Sequence, residues 1–221
     1  MSRILAVGDI HGCSNTFKKL LLEEINIQKS DEVYCLGDYI DRGPDSKGVI
    51  DFILDLRKTG FQIHTLRGNH EQMMMDSIHD EQADSLWRRY GGLPTLSSFG
   101  IKDYSELGKK YQKFFQETKF FFEKDNFIFV HAGMNFRIED IFSDLDAMLW
   151  IRDFKVSTKK LGNRILIHGH TPRTHGYIHS QLGKSVINID GGCVYNENSI
   201  YGNLIAVDLT NNRFHSVKSL D

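Results

Sequence analysis

Short apolar runs alternate with helical patterns along the first third of the chain. Three runs, Arg3 to Val7, Glu32 to Leu36 and Gln62 to Leu66, have the length and composition of buried strands, each beginning about 30 residues after the last. Between the first two, apolar residues recur at helical spacing from Phe17 to Ile25, behind a Ser14 cap. The pattern predicts successive strand–helix–strand units with parallel strands.

The second helix of this series should begin near Asp45 or Ser46 and end at Gly60, because glycine commonly closes a helix. From residue 72 to about residue 118 the strand rhythm stops, and apolar residues predict several short helices joined by glycine-rich turns. We interpret this segment as a helical insertion beside a site. The methionines Met73 and Met74 within it are interpreted as core filling.

The second half of the chain returns to strand patterns. Strands are predicted over Phe120 to Glu123, Phe127 to Val130, Arg164 to Ile167, Val186 to Ile189, Asn203 to Leu209 and Arg213 to Val217. The first two and the last two of these should form hairpins. A helix is predicted across Ile138 to Trp150.

Composition narrows the class of protein. With 221 residues, of which 40% are apolar and 25% charged, we expect a single domain over residues 1–221. The net charge of -2 shows no excess of basic residues of the kind that binds nucleic acids, so no nucleic-acid partner is expected. No apolar run has the length of a signal peptide or a membrane span. The three cysteines lack CxxC spacing, which indicates neither a disulfide framework nor a cysteine zinc site, and we expect a reducing, cytoplasmic location.

Polar loops that contain glycine follow the predicted strands. The chemistry-bearing residues of the first three loops are Asp9, His11, Asp38, Asp41, Asn69 and His70, and later loops carry His131 and His170. Because the carboxyl ends of parallel strands share one edge of a sheet, we expect the side chains of the first three loops to converge.

A pair of metal ions would explain this collection of side chains. Asp38 and Asp41 lie in one loop and would repel each other unless a cation sat beside them. The expected ligands are Asp9, His11, Asp38, Asn69, His131 and His170, with Asp38 bridging two ions. Nitrogen and oxygen donors without a thiolate suit Mn, Fe or Zn better than Ca, and Mn²⁺ is our choice. Two such ions about 3.5–4 Å apart would share one hydroxide and aim it at phosphorus.

The remaining polar residues have complementary roles in this interpretation. Arg42 and Arg152 suit phosphate oxygens, because a guanidinium binds them through two parallel hydrogen bonds. His70 is the candidate general acid for the leaving oxygen, and Asp41 would accept its other ring proton and raise its pKa. The assembly predicts direct hydrolysis of a phosphate ester, since no serine or cysteine sits in a nucleophile motif.

Each motif alone also has an ordinary structural explanation. An Asp-x-His after a strand can be a solvated turn, His131 or His170 a core histidine, and Arg152 a surface charge paired with Asp153. The joint occurrence of five such motifs at strand ends favours the functional interpretation. Residues left without a predicted role are Arg67, His168, His175 and His179. Asp190 is expected to shape a loop under the site.

Five motifs carry a family resemblance. They are Gly8-Asp9-Ile10-His11-Gly12, Gly37-Asp38-Tyr39-Ile40-Asp41-Arg42-Gly43, Arg67-Gly68-Asn69-His70-Glu71, His131-Ala132-Gly133 and Gly169-His170-Thr171-Pro172. The set resembles the metal-dependent phosphoprotein phosphatases within the calcineurin-like metallophosphoesterases. Pro172 stands where many other metallophosphoesterases carry a second histidine, and Glu71 with the residues after it is similar to the compact phage lambda and bacterial enzymes.

This resemblance implies an α/β fold, a sandwich of two mixed β-sheets flanked by helices, with a two-metal centre and the ligand roles given above. It also implies a serine/threonine phosphatase, which could accept phosphotyrosine, acting on phosphoproteins or small phosphate esters. The alternative is a symmetrical bis(5'-nucleosyl)-tetraphosphatase, which is similar in every metal motif but tends to carry Asp at the position of Glu71.

Overall fold

The computed structural model describes residues 2–197 and 200–221. Within these residues nine strands are present: β1 (Ile4–Val7), β2 (Glu32–Cys35), β3 (Gln62–Thr65), β4 (Phe121–Lys124), β5 (Phe127–Val130), β6 (Ile165–His168), β7 (Val186–Asn188), β8 (Asn203–Asp208) and β9 (Arg213–Lys218). Each strand end lies within one residue of its predicted position.

The strands form two mixed sheets. The first has the order β3-β2-β1-β8-β9, in which β1, β2 and β3 are parallel and β8 and β9 run antiparallel. The second has the order β4-β5-β6-β7, in which β4 and β5 form the predicted hairpin and β5, β6 and β7 are parallel. The predicted sandwich of two mixed sheets is confirmed.

Helices cover the outer faces of the sheets. They are α1 (Ser14–Lys19), α2 (Ser46–Lys58), α3 (Asn69–Asp76), α4 (Glu81–Trp87), α5 (Leu93–Phe99), α6 (Lys109–Glu117), α7 (Leu145–Trp150), α8 (Thr158–Leu161) and α9 (His175–His179). Wider π-helical turns, Leu20–Glu24 and Arg88–Gly92, continue α1 and α4, and Tyr104–Glu106 forms a 3₁₀ turn. Among the described residues, no helix is both long and apolar enough to cross a bilayer.

Alternate residues of the central strands serve two different cores. In β1, Ile4 and Ala6 pack between the sheets with Phe129 of the second sheet. Leu5 and Val7 point the other way, into a core shared with α1, α2 and the insertion. Because successive side chains of a strand face opposite sides and both sides are covered, the strand is apolar throughout.

Two local predictions are wrong. Cys13 occupies the cap position before α1, and the Ser14 hydroxyl instead donates to Asp45 Oδ2 at 2.6 Å, joining the first two loops. The helix expected across Ile138 to Trp150 begins only at Leu145. It starts there because Asp144 accepts a hydrogen bond from the Ala147 backbone N–H at 3.0 Å and so caps the helix.

The segment interpreted as a helical insertion contains α4, α5, α6 and most of α3. Since α3 starts at Asn69, His70 and Glu71 lie in its first turn, directly beside the strand-end loops. Met73 and Met74 are buried in the core, as predicted. The insertion therefore supplies part of the site itself as well as its border.

Candidate active site

The structure brings the predicted site residues to the carboxyl edges of both sheets. Asp9, His11, Asp38, Asp41, Asn69, His70, His131 and His170 are all buried there. His131 follows β5 and His170 follows β6. The second sheet thus adds its imidazoles to the carboxylates that follow the first sheet.

Two clusters of ligand-type atoms share Asp38. One is formed with His11 and His70, and the other with His131 and His170. Asp38 Oδ2 lies 3.4 Å from His11 Nε2, and Asp38 Oδ1 lies 3.5 Å from His131 Nε2. One carboxylate therefore faces both clusters, which is the arrangement needed to bridge two ions.

The ring orientation of two histidines suits cation binding. His11 Nδ1 lies 2.8 Å from the carbonyl of Ile40, and His131 Nδ1 lies 2.9 Å from that of Leu36. A carbonyl only accepts, so each Nδ1 carries the proton and each Nε2 has a lone pair, which in His11 accepts a hydrogen bond from Arg42 Nη1. Burial lowers the pKa of both rings, which keeps them in the neutral, ligand-competent form.

Ligand-type atoms of Asn69 and His170 converge on His131. Its Nε2 lies 2.9 Å from Asn69 Oδ1 and 3.1 Å from His170 Nδ1. The other ring nitrogen of His170, Nε2, is buried and has no hydrogen-bond partner. Two imidazole nitrogens and an amide oxygen this close together fit a divalent cation with nitrogen and oxygen ligands.

Asp9 is buried beside these clusters but belongs to neither. Its carboxylate accepts a hydrogen bond from the His170 backbone N–H at 3.0 Å. Burial raises the pKa of Asp9, and the nearby carboxylates of Asp190 and Asp38 raise it further. Asp190 itself accepts from the Gly192 backbone N–H at 2.8 Å, so it shapes its own loop. Three buried carboxylates this close again favour a cation among them.

Five site residues have left-handed backbone conformations. Positive φ angles occur at His11 (47°), Asp38 (50°), Asp41 (72°), Arg42 (67°) and His170 (68°). This conformation is uncommon for residues other than glycine, and it accumulates at functional sites where the surroundings enforce it.

Glycines admit the carboxylates at two of these loops. A Cβ at Gly68 would collide with the Asp38 carboxylate, and a Cβ at Gly169 would collide with that of Asp9. The glycines of both motifs are therefore required by close packing of ligand loops.

Glu71 holds the loop that carries Asp38. Its fully buried carboxylate accepts hydrogen bonds from the backbone N–H groups of Asp38 and Tyr39, both at 2.8 Å, and of Gly68 at 2.9 Å. One side chain of α3 thus fixes the loops after β2 and β3. The motif Arg67-Gly68-Asn69-His70-Glu71 contains this residue but predicts no role for it.

We expect Glu71→Ala to lower the free energy of unfolding by about 3 kcal/mol or more, because several buried N–H groups lose their acceptor. In thermal unfolding this corresponds to a fall in Tm of roughly 6–12 °C. Glu71→Gln keeps one acceptor oxygen, so its Tm should lie between those of the wild type and Glu71→Ala. A Glu71→Ala protein with the wild-type Tm would contradict this role.

The insertion also holds Asp41. Asp41 Oδ2 lies 2.7 Å from His70 Nδ1 and accepts from Trp87 Nε1 at 2.9 Å, while Oδ1 accepts from the Thr95 hydroxyl at 2.7 Å. The Asp41 backbone N–H in turn donates to Thr95 Oγ1 at 2.8 Å. Both carboxylate oxygens are therefore held by hydrogen bonds, which fixes the Asp41 carboxylate against the His70 ring. Trp87 and Thr95 were missed because they lie far from Asp41 in the sequence, and neither belongs to a recognisable motif.

Trp87→Phe removes one hydrogen bond from the oxygen that orients His70 while keeping an aromatic ring. We expect kcat for an alkyl phosphate ester to fall roughly 10- to 100-fold, as for other groups that orient a reacting side chain. Tyr111→Phe is the matched control, since it removes an aromatic donor 2.9 Å from a remote carboxylate, Asp51. Equal activity losses in the two variants would count against a specific effect of Trp87.

The two candidate phosphate-binding arginines lie at different clusters. Arg42 Nη1 lies 2.7 Å from His11 Nε2, and its backbone N–H donates to Gly91 of the insertion at 3.0 Å. Arg152 is exposed just after α7. Burial lowers the pKa of His170 to about 3, and the neighbouring His131 ring and the Arg152 guanidinium lower it further. Arg152 is thus close enough to His170 to act on it electrostatically.

Three of the four residues without a predicted role make structural contacts, and His168 is the exception. Arg67 donates to the Thr118 hydroxyl at 3.1 Å and to Gln72 at 3.0 Å, which ties α3 to the end of α6. His175 and His179 pair ring to ring on α9. His168 is buried and has a ring nitrogen without a hydrogen-bond partner.

Comparisons of the sequence find partial matches to two kinds of enzyme. Serine/threonine-protein phosphatase 1 of Salmonella typhimurium is 39% identical over 89 residues, which are 40% of this chain and 38% of that protein. The symmetrical bis(5'-nucleosyl)-tetraphosphatase of Nitrosomonas europaea is 29% identical over 141 residues, which are 61% of this chain and 46% of that protein. The matches thus span less than half the length of each relative.

The comparison of structures shows the fold. A protein serine/threonine phosphatase from Saccharomyces cerevisiae superposes with a TM-score of 0.66 at 17% identity, covering 100% of this chain and 81% of that one. The family model of the calcineurin-like phosphoesterases matches residues 2–201. The resemblance indicated by the five motifs is thereby confirmed, and the chain belongs to the calcineurin-like phosphoesterase family.

Proposed function

We propose that the chain is a metal-dependent phosphomonoesterase that acts as a serine/threonine protein phosphatase. The observation that carries the proposal is the buried His70–Asp41 pair directly beside two ligand clusters that share Asp38. A proton donor next to a place for two cations is what hydrolysis of a phosphate ester needs.

Asp9, His11 and Asp38 would hold one ion, and Asp38, Asn69, His131 and His170 would hold the other. When bound, such ions supply Lewis-acid activation of water and neutralise charge on the phosphate. The donor atoms suit Mn²⁺, Fe or Zn, and we propose Mn²⁺.

The chain's own residues would divide the remaining work. Arg42 and Arg152 would orient the phosphate by hydrogen bonds to its non-bridging oxygens. His70 would hold a proton at Nε2 and donate it to the leaving oxygen as the bond to phosphorus breaks. Asp41, fixed by Trp87 and Thr95, would accept a hydrogen bond from Nδ1–H of the ring protonated at both nitrogens and hold it in the plane that this transfer requires.

Two observations support a protein substrate. The Salmonella relative is a serine/threonine-protein phosphatase, and its match covers 40% of this chain. Glu71 has the length to reach the amides of the Asp38 loop, and the tetraphosphatases tend to carry the shorter Asp there. The three free, buried cysteines agree with the cytoplasmic location that we also propose.

The second candidate is a symmetrical bis(5'-nucleosyl)-tetraphosphatase. It is favoured by the Nitrosomonas relative, whose match extends over a larger part of this chain. The same ligands, acid and arginines would serve that reaction.

A substrate panel separates the two candidates. The Mn²⁺-loaded protein is assayed with a phosphoserine peptide, a phosphothreonine peptide and diadenosine tetraphosphate. We expect the peptides to be hydrolysed with the larger kcat/KM, and the activity to disappear on chelation and return with Mn²⁺. Hydrolysis of the dinucleotide alone would overturn the first candidate in favour of the second.

A further inference from the structure

A cationic cavity of about 220 Å³ adjoins the candidate site. It lies between the segment after α7 and the ends of β6 and β7, and its lining includes Arg152, Arg173 and Lys184. Asp153 is the one carboxylate among its lining residues, so positive charge exceeds negative charge by two when all four are ionised. Such a concave, cationic surface favours an anionic ligand.

A buried polar atom in the lining is without a partner. His168 is 8% exposed, and its Nδ1 makes no hydrogen bond. Buried polar groups are nearly always paired within a protein or by a bound molecule. This nitrogen has less than 1 Å² of exposed surface, so His168 belongs to the wall of the cavity, and the basic side chains would contact an anion.

Several residues of the lining are already paired and form a fixed frame. Gln181 exchanges hydrogen bonds with the backbone of Asn188, at 2.9 and 3.0 Å, and the Asn188 amide donates to the Thr171 carbonyl at 3.0 Å. The guanidinium of Arg173 lies 5.5 Å from the centre of the Tyr177 ring, and its backbone N–H donates to Asp190 at 2.8 Å. Stacking holds the guanidinium by its face and leaves its edge available for an anion.

The cavity and the candidate site share Arg152. Arg152, which lines it, is also the arginine near His170, and Arg173 follows His170 by three residues. Arg152 would then contact both an anion in the cavity and a phosphate at the candidate site.

We propose that this cavity binds a second phosphate group of the substrate, adjacent to the one that is hydrolysed. The inference rests on the proposed function, because it assumes a phosphate ester at the metal clusters. The second phosphate can belong to a neighbouring phosphorylated residue of a peptide or to the phosphate chain of a dinucleotide.

Kinetics with paired substrates test the proposal. A peptide carrying two phosphoserines, the same peptide carrying one, and diadenosine tetraphosphate are compared for the wild type, Arg173→Gln and Lys184→Gln. We expect the wild type to prefer the doubly phosphorylated peptide about tenfold in kcat/KM, and both variants to lose that preference while hydrolysing the single phosphoserine normally. A specific loss with the dinucleotide alone would identify the phosphate chain as the source.

Arg213→Gln, at the exposed start of β9, is the matched control and should behave as the wild type. Equal losses on singly and doubly phosphorylated peptides, or a preference that survives in both Arg173→Gln and Lys184→Gln, would overturn the proposal.

A binding measurement separates this proposal from the proposed function. Fluorescence anisotropy with the labelled doubly phosphorylated peptide reports affinity even if nothing is hydrolysed. We expect about tenfold weaker binding by Arg173→Gln than by Arg213→Gln. If binding depends on Arg173 but nothing is hydrolysed, the proposed phosphatase activity is refuted and the second phosphate site is retained. If the peptide is hydrolysed and the two variants bind it equally, only the second phosphate site is refuted.

Discussion

Replacement of His70 by Asn is expected to lower kcat for an alkyl phosphate ester by about 10²- to 10⁴-fold, the usual contribution of a general acid. An alkoxide leaves poorly without a proton, and His70, held 2.7 Å from Asp41, is the proton donor that we propose. Asn keeps a hydrogen-bond donor for Asp41 but has no proton to transfer. Steady-state kinetics with a phosphoserine peptide give the size of the loss.

The leaving group distinguishes an acid from a residue that merely supports the site. p-Nitrophenyl phosphate releases a stable anion that needs no proton, so His70→Asn should lose much less activity on it. If both substrates lost activity equally, His70 would act through binding or ligand geometry, and the assignment as the acid would be wrong.

Replacement of Asp38 by Asn should remove activity on the order of 10³-fold or more, because its carboxylate faces both ligand clusters. A neutral amide provides a weaker oxygen ligand and cannot bridge two ions with its charge. Calorimetric titration with Mn²⁺ should show that both binding events weaken together. Weakening of both binding events is the diagnostic result, because the loss of a side chain that contacts only one ion would weaken only one binding event.

Asp31→Asn is the appropriate comparison for that experiment. Asp31 is equally buried but lies before β2, at the opposite end of the strand from Asp38, where it pairs with Arg3 at 2.6 Å. This variant can lose stability but should bind two Mn²⁺ ions with wild-type affinity. Retention of both ions by Asp38→Asn would refute a bridging role.

The strands and the first-sheet loops could be predicted because their information is local. An apolar run followed at once by Gly8-Asp9 or Gly37-Asp38 fixes both where a strand ends and what chemistry follows it. Parallel pairing of β1, β2 and β3 then brings those loops together.

The support of the site could not be predicted, because it comes from contacts between distant segments. Trp87 and Thr95 reach Asp41 from helices whose packing the sequence pattern does not specify. The prediction of a helix across Ile138 to Trp150 is wrong for a related reason. A single capping carboxylate, Asp144, decides where α7 begins. His168 has no local signal either, because its unpaired nitrogen becomes apparent only when the cavity around it is formed.

The left-handed loops and their anchor, Glu71, have a consequence for the thermodynamics of metal uptake. The backbone of His11, Asp38 and His170 is already held in the unusual conformation that ligation would otherwise have to impose. An ion would then bind without coupled folding, so little apolar surface would be removed from water. Calorimetry over a range of temperatures should accordingly show a heat-capacity change near zero for Mn²⁺ binding, in contrast to metal sites that fold around their ion.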